Sequence, residues 1–418
     1  MRIVFVADAR SAISQSWINH FASRGDDVHI ISTYPCADDI IRGAQVYQLP
    51  VAFSGLSRIS HNGTVASNRQ PSIFARGLAG LRIGALSNLS IAARFWLGPI
   101  ELNRYVTRAR DLIASIQPDL VHALRIPFEG ILAAKATPAR IPLLISVWGN
   151  DFTLFAGRNP LISRQTRRTL ERADALLCDC RRDLRLAVRD WGFSQQKPSA
   201  VLPGAGGIQT HLFNSAGDIS ELRDRLDIPV DARVVINPRG FRGYVRNDIF
   251  FESIPLVLQK HPRTIFLCVG MQANPVAEKW VDRLRIRQSV RLLPAVAHKE
   301  MARLFRLAEI SVSPSLHDGT PNSLLEAMAC GCFPVAGDIE SIREWIVDGE
   351  NGLTCDPTDR HSLGRALTRA FDDRSLLDRA REQNVRLVAE RADYDKVMRE
   401  AVDFYQKIIR QSEKAVKV

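Results

Sequence analysis

No stretch of the 418-residue chain approaches 18 consecutive apolar residues, so nothing in it reads as a membrane span. CxxC is missing too. The seven cysteines include two CxC pairs, Cys178/Cys180 and Cys330/Cys332, but neither lies beside a His cluster with zinc spacing. The N-terminal "MRIVFVADAR" is a short apolar strand rather than a charged segment followed by a long apolar one. With an odd number of cysteines, that argues for free, mostly buried thiols in a reducing cytosol. The lack of a GxxxxGK[ST] loop excludes a P-loop NTPase. Low-complexity tracts and short internal repeats are lacking as well, which argues against a repeat architecture. Lysine is scarce: nine of the 56 basic residues are Lys and the rest are Arg. No RNA-binding module or recognition helix is visible, so no nucleic acid is expected despite a net charge of +11.

That charge is uneven. Residues 51–110 hold eight Arg, no Lys and one acid, Glu101. A basic patch of this kind suits an anionic membrane surface, an acidic substrate or a nucleic acid, and it equally describes a solvated face in an Arg-rich chain.

The length predicts two domains of roughly 200 residues each. Short apolar runs alternate with longer amphipathic stretches throughout. The first half offers strands at "RIVFVAD" (2–8), "DVHIIST" (27–33), "PDLVHAL" (118–124), "IPLLISVWG" (141–149), "ADALLCD" (173–179) and "SAVLPGAGG" (199–207). The second half offers six more, at 233–240, 264–270, 289–294, 309–315, 332–338 and 352–357. This alternation predicts α/β domains with doubly wound parallel sheets. The boundary is expected at the Gly-rich "PGAGGIQT" (203–210). That gives an N-terminal domain over 1–205 and a C-terminal domain over 206–391, facing a cleft. Val397, Ala401, Tyr405 and Ile408 recur at helical spacing, so 392–418 reads as an amphipathic helix with a surface to cover.

One stretch concentrates chemistry. "HDGTPNSLLEAMACG" (317–331) follows the buried strand "EISVSPS" and opens a helix, with Thr320 expected as its cap and Pro321 in its first turn. A helix start beyond the carboxyl end of a parallel strand offers N–H groups and partial positive charge to an anion. Asp318 stands before the cap and Glu326 about two turns inside.

These residues resemble the signature of glycosyltransferase family 4, in which seven residues separate two acids. Asp318, Gly319, Pro321, Leu325, Glu326, Ala327, Met328, Ala329 and Gly331 match it, with Asp in place of the first Glu. The resemblance continues through "GDIESIREWIVDGENGLTCDPTD" (337–359) and is weaker before residue 200. It implies a GT-B fold and retaining transfer from a nucleoside-diphosphate sugar, a UDP- or GDP-sugar. By resemblance Glu326 accepts from the ribose hydroxyls, and Asp318 meets the sugar or its phosphate side. The amides of Gly319, Thr320, Asn322 and Ser323 hold the donor, Leu293 and Ala295 meet the base, and Gly206 lies in the interdomain loop. Arg239 matches the family's diphosphate Arg. The Lys expected about five residues later is missing, and Arg242 and Arg246 are the substitutes. His122 matches the first His of a His-x-His loop whose second position is Leu124; it is either a catalytic residue or a packed strand-end His. Asp151 and Arg125 are acceptor-side candidates. No metal or other cofactor is expected.

The expected function is glycosyl transfer to a lipid-linked saccharide or polysaccharide precursor, in the cytoplasm or peripherally on the cytoplasmic face of the membrane, which residues 51–110 would contact. The rivals are a GT-B nucleotide-sugar epimerase and a noncatalytic nucleotide-sugar or nucleic-acid binding protein.

Overall fold

A computed structural model describes residues 1–54 and 94–416. The part of the basic block expected to contact a membrane that falls on 55–93, with Arg58, Arg69, Arg76 and Arg82, lies outside the described residues. The described chain forms two compact units. The first comprises residues 1–178, 183–201 and 402–418, and the second 179–182 and 202–401.

In the first unit seven parallel strands form one sheet: β1 (Arg2–Ala7), β2 (Asp27–Ser32), β3 (Ala44–Gln48), β4 (Leu120–Ala123), β5 (Leu143–Val147), β6 (Ala175–Cys178) and β7 (Ser199–Val201), in the order 3-2-1-4-5-6-7. The register pairs Phe5 with Ile30 on one side and with His122 on the other. The strands read as unbroken apolar runs because helices cover both faces; Ile3, Val4, Phe5 and Val6 are all buried. β3 was not expected. Its five residues are mostly half-buried at the sheet edge, so its sequence lacks the apolar run that marked the others.

The second unit has six parallel strands: β8 (Arg233–Asn237), β9 (Thr264–Cys268), β10 (Val290–Leu292), β11 (Ile310–Ser313), β12 (Phe333–Gly337) and β13 (Leu353–Cys355), ordered 10-9-8-11-12-13. Each sheet reverses its winding once, between β1 and β4 in the first unit and between β8 and β11 in the second. Loops leaving the carboxyl ends of those central strands diverge, and the space between them is where such sheets take ligands.

The last helix, Tyr394–Val416, joins the first unit from residue 402, not from 392. Residues 392–398 stay with the second unit because their partners are there. Ile208 N donates to Ala392 O (2.7 Å), and Thr210 Oγ1 donates to Asp393 (2.5 Å). Gly206, at φ +86°, leaves no room for a Cβ, which would lie 2.4 Å from Met398 Sδ. The expected apolar stripe is real: Val397, Ala401, Tyr405 and Ile408 are all buried. Among the described residues no helix is long and apolar enough to cross a membrane.

Candidate functional site

At the reversal of the second sheet, the loops after β8 and β11 bring Arg239 and Asp318 together. The guanidinium donates from Nη1 to the Asp318 carboxylate, and both side chains are about nine-tenths buried. Burial opposes the charge on Arg239, and Asp318 overrides it, holding the pKa above its ordinary value. The Arg239 loop is fixed from below: Asn237 Oδ1 accepts from its amide (3.2 Å), Asn237 Nδ2 donates to Asn247 Oδ1 (3.0 Å), and Asn247 Nδ2 donates to Gly240 O (2.8 Å). Leu316 N donates to Tyr244 O (2.9 Å) and ties the two loops together. The Asp318 carbonyl accepts from Ser341 Oγ (2.7 Å) and Arg182 Nη1 (2.6 Å).

The helix that follows begins one residue later than expected, spanning Asn322–Ala329 with Pro321 as its N-cap. Thr320 does not cap it. Its hydroxyl donates to Asp179 O (2.6 Å) and accepts from Trp345 Nε1 (3.1 Å), so it is turned away from the helix start. Gly319 is glycine because a Cβ would lie 2.1 Å from the Asp179 carboxylate. Asn322 and Ser323 keep first-turn amides without intrahelical acceptors. Asn322 Oδ1 is buried and has no hydrogen-bond partner among the described residues.

Glu326, half-buried in this helix, makes no hydrogen bond or ion pair among the described residues. Burial alone pushes its carboxyl up to about 7. A carboxylate left half-buried and unpaired is costly to the apo protein, and a ligand offering hydroxyl donors would offset that cost.

Three other expectations change. Arg246 turns back onto Asp248 (2.8 Å), which commits its guanidinium, whereas Arg242 is exposed and donates to the Tyr244 hydroxyl (3.2 Å). Leu293 cannot offer its backbone to a base: its N–H donates to Cys268 O, and its carbonyl accepts from Met271 N and Gln272 N, each at 2.9 Å. Ala295, two residues on, is exposed. Gly206 serves packing against Met398, as described above.

In the first unit His122 is the packed strand-end residue of the two alternatives. It is fully buried on β4, with Nε2 2.7 Å from Ser146 Oγ and Nδ1 against the Tyr405 hydroxyl, and burial drives its pKa down to about 3. Both ring nitrogens are taken and the ring stays neutral. Tyr405 also accepts from Trp17 Nε1 (2.8 Å) and stacks on Phe21 at 4.6 Å. Arg125 and Asp151 are likewise engaged with each other (3.0 Å). Asp151, fully buried, accepts further from Ile126 N (3.1 Å) and Trp148 N (3.2 Å), stitching the β4 and β5 loops.

The first sheet's reversal holds residues that no motif signalled. Glu129 is buried, accepts from Thr33 Oγ1 (2.7 Å) and faces Arg125. Burial raises its pKa to about 7, partly opposed by Arg125. Arg10, paired with Asp8 through Nε (3.0 Å), lies 3.8 Å over the Tyr34 ring, and Arg94 lies 4.6 Å from the same ring centre. These residues come from four separate stretches of the chain, 8–10, 33–34, 94 and 125–129, and only the acid in "PFEG" after a strand end offered a local cue.

Residues 12–204 match the family description "Glycosyl transferase 4-like domain", and residues 218–386 match "Glycosyl transferases group 1". Curated relatives include D-inositol 3-phosphate glycosyltransferases of Streptomyces bingchenggensis (24% identical over 57% of this chain and 54% of the relative) and Thermobispora bispora (25%, 48% and 48%). The chain thus spans about half the length of the curated relatives it matches. Among solved structures, sucrose-phosphate synthase of Thermosynechococcus elongatus superposes with TM-score 0.74 at 15% identity, over 98% of this chain and 100% of the other. Anabaena HepE in complex with UDP-glucose superposes with TM-score 0.69 at 16% identity, over 97% and 100%. With the two parallel sheets and the acid pair at the second reversal, these matches establish that the chain has the GT-B fold and belongs to the glycosyltransferase 4-type family.

Proposed function

We propose that the chain transfers a sugar from a nucleoside-diphosphate sugar to an acceptor with retention of configuration. The second unit holds the donor and the first holds the acceptor. The observation that carries this reading is the unpartnered, half-buried carboxylate of Glu326 beside a helix start with free amides. Two adjacent ribose hydroxyls supply the donors that Glu326 lacks, while Asn322 Oδ1, Gly319 and Ser323 surround the rest of the donor. Arg239 contacts the diphosphate once Asp318 shifts part of its hydrogen bonding to the sugar. The base rests near Ala295.

In transfer, the bond from the anomeric carbon to the diphosphate breaks and the acceptor oxygen attacks on the same face. The acceptor proton passes to the departing phosphate. Arg239 and the helix amides stabilise the charge that develops on the leaving group, so no metal is needed to do so. A uridine donor is favoured by the relationship to a UDP-glucose-binding structure. The acceptor is a lipid-linked saccharide or polysaccharide precursor. Relatives named for a phosphorylated polyol support an anionic one.

The test is calorimetric titration of UDP in EDTA buffer, followed by a UDP-sugar screen for UDP release. Glu326→Ala is expected to weaken UDP binding by about 2–4 kcal/mol, the scale of a charged acceptor lost from a closed site, with folding intact. Equal affinity in the variant, or binding that requires added Mn²⁺, would overturn the reading.

A further inference from the structure

At the reversal of the first sheet the charges do not balance. Asp8 answers Arg10, and Asp151 answers Arg125. Glu129, raised to about 7, is only partly ionised at neutral pH. Arg94 has no carboxylate partner among the described residues, and its Nε is buried without a hydrogen bond. A guanidinium in that state is held at a cost.

Its position is fixed rather than incidental. The neighbouring Phe95 is buried, stacks on Phe155 at 5.3 Å and leans on Phe128 at 5.5 Å, and its carbonyl accepts from Asn159 Nδ2 (3.1 Å). Phe128 is a non-glycine residue at φ +67°, ψ −56°, a strained turn that sets its ring 4.8 Å from the Arg94 guanidinium. Arg94 and Arg10 therefore share one tyrosine ring, Tyr34, at the carboxyl ends of β1 and β2, beside the winding reversal where an α/β sheet takes its ligand.

We propose that Arg94, with Arg10 and Tyr34, forms a subsite for a phosphate group carried by the acceptor. The proposal rests on the reading that the first unit binds the acceptor. A planar guanidinium matches two phosphate oxygens, and Tyr34 adds a neutral donor, its phenol kept protonated by burial. The phosphate would neutralise Arg94, which has no carboxylate partner among the described residues.

The experiment titrates inorganic phosphate into the full chain already saturated with UDP, so that the donor diphosphate site is filled. Wild type should bind phosphate, and acetate at least tenfold more weakly. Arg94→Gln should weaken phosphate binding by about tenfold or more, the scale of one charged hydrogen bond, while UDP affinity stays unchanged. Arg94→Lys should recover part of the loss and supplies a second folded variant if the Gln form melts early. Phosphate binding equal in wild type and Arg94→Gln, or absent from UDP-saturated wild type, would overturn the subsite. Acetate binding as tightly as phosphate would also overturn it. Loss of UDP binding by the wild type would instead count against the donor assignment.

Discussion

The two sheet reversals use the same parts differently. Each has an Arg–Asp pair, Arg239–Asp318 buried in the second unit and Arg125–Asp151 in the first with its Asp buried and its Arg one-third exposed, and each has a glutamate raised to about 7. In the second unit the glutamate is left without a partner. In the first, Glu129 is bonded to Thr33 and faces Arg125, and Arg94 is the group without a carboxylate partner among the described residues. On the proposed reading, one reversal receives donors and the other an anion. Topology fixes where a ligand sits, and the unpaired group fixes its chemistry.

The sharpest way to break this comparison is to remove one member of each pair. Asp151→Ala strands Arg125 and two backbone amides, and the loss should be about 3–5 kcal/mol by urea unfolding. Arg239→Ala should cost about 3 kcal/mol for the same reason and should also weaken UDP binding, which Asp151→Ala should leave alone. If Asp151→Ala proved neutral, the first unit's pair would be a ligand site rather than a stitch.

The glutamates offer a subtler distinction. Each has a folded-state pKa near 7 against an ordinary 4.5, so the folded protein binds the extra proton between those values. Stability therefore falls as pH rises from 4.5 through 7. Glu129→Gln and Glu326→Gln should each raise the melting temperature above pH 7, by about 2 kcal/mol equivalent at Glu129, with the gain vanishing near pH 4.5. Only Glu326→Gln should also impair UDP binding. A melting gain independent of pH would dissociate both effects from ionisation.

The smallest effect concerns the surface of the first unit. Trp96, Leu97 and Ile100 are more than half exposed, and Arg104 and Arg108 lie exposed nearby in sequence. This combination suits an anionic bilayer, each Arg contributing on the order of 1 kcal/mol. Flotation with phosphatidylglycerol vesicles should fall with salt and on replacing the three apolar residues with Ser. Equal flotation with neutral vesicles would leave a soluble acceptor as the better reading.

How much of this was legible in the sequence follows from locality. Asp318, Glu326 and the start of their helix lie within one turn-and-helix segment, so residue order alone displayed the proposed donor site. Twelve of the strands announced themselves as apolar runs, and half-exposed β3 did not. The fates of Thr320 and Leu293 were hidden because each is claimed by a partner remote in sequence, Asp179 and Cys268, whereas Arg246 is taken by Asp248 only two residues on, a local pairing that residue order left open. The Arg94–Tyr34–Glu129 assembly was invisible because it is gathered from separate loops far apart in the chain.

The Tyr405 hydroxyl, held by Trp17 and His122, carries a consequence for biosynthesis. The first unit lacks part of its core until residues 402–416 leave the ribosome. At about 5–20 residues per second, residues 202–401 take roughly 10–40 s to synthesise. Throughout that interval Phe21, Trp17 and the His122 end of the sheet await their cover, and a nascent chain stalled before residue 402 presents that apolar seam to chaperones.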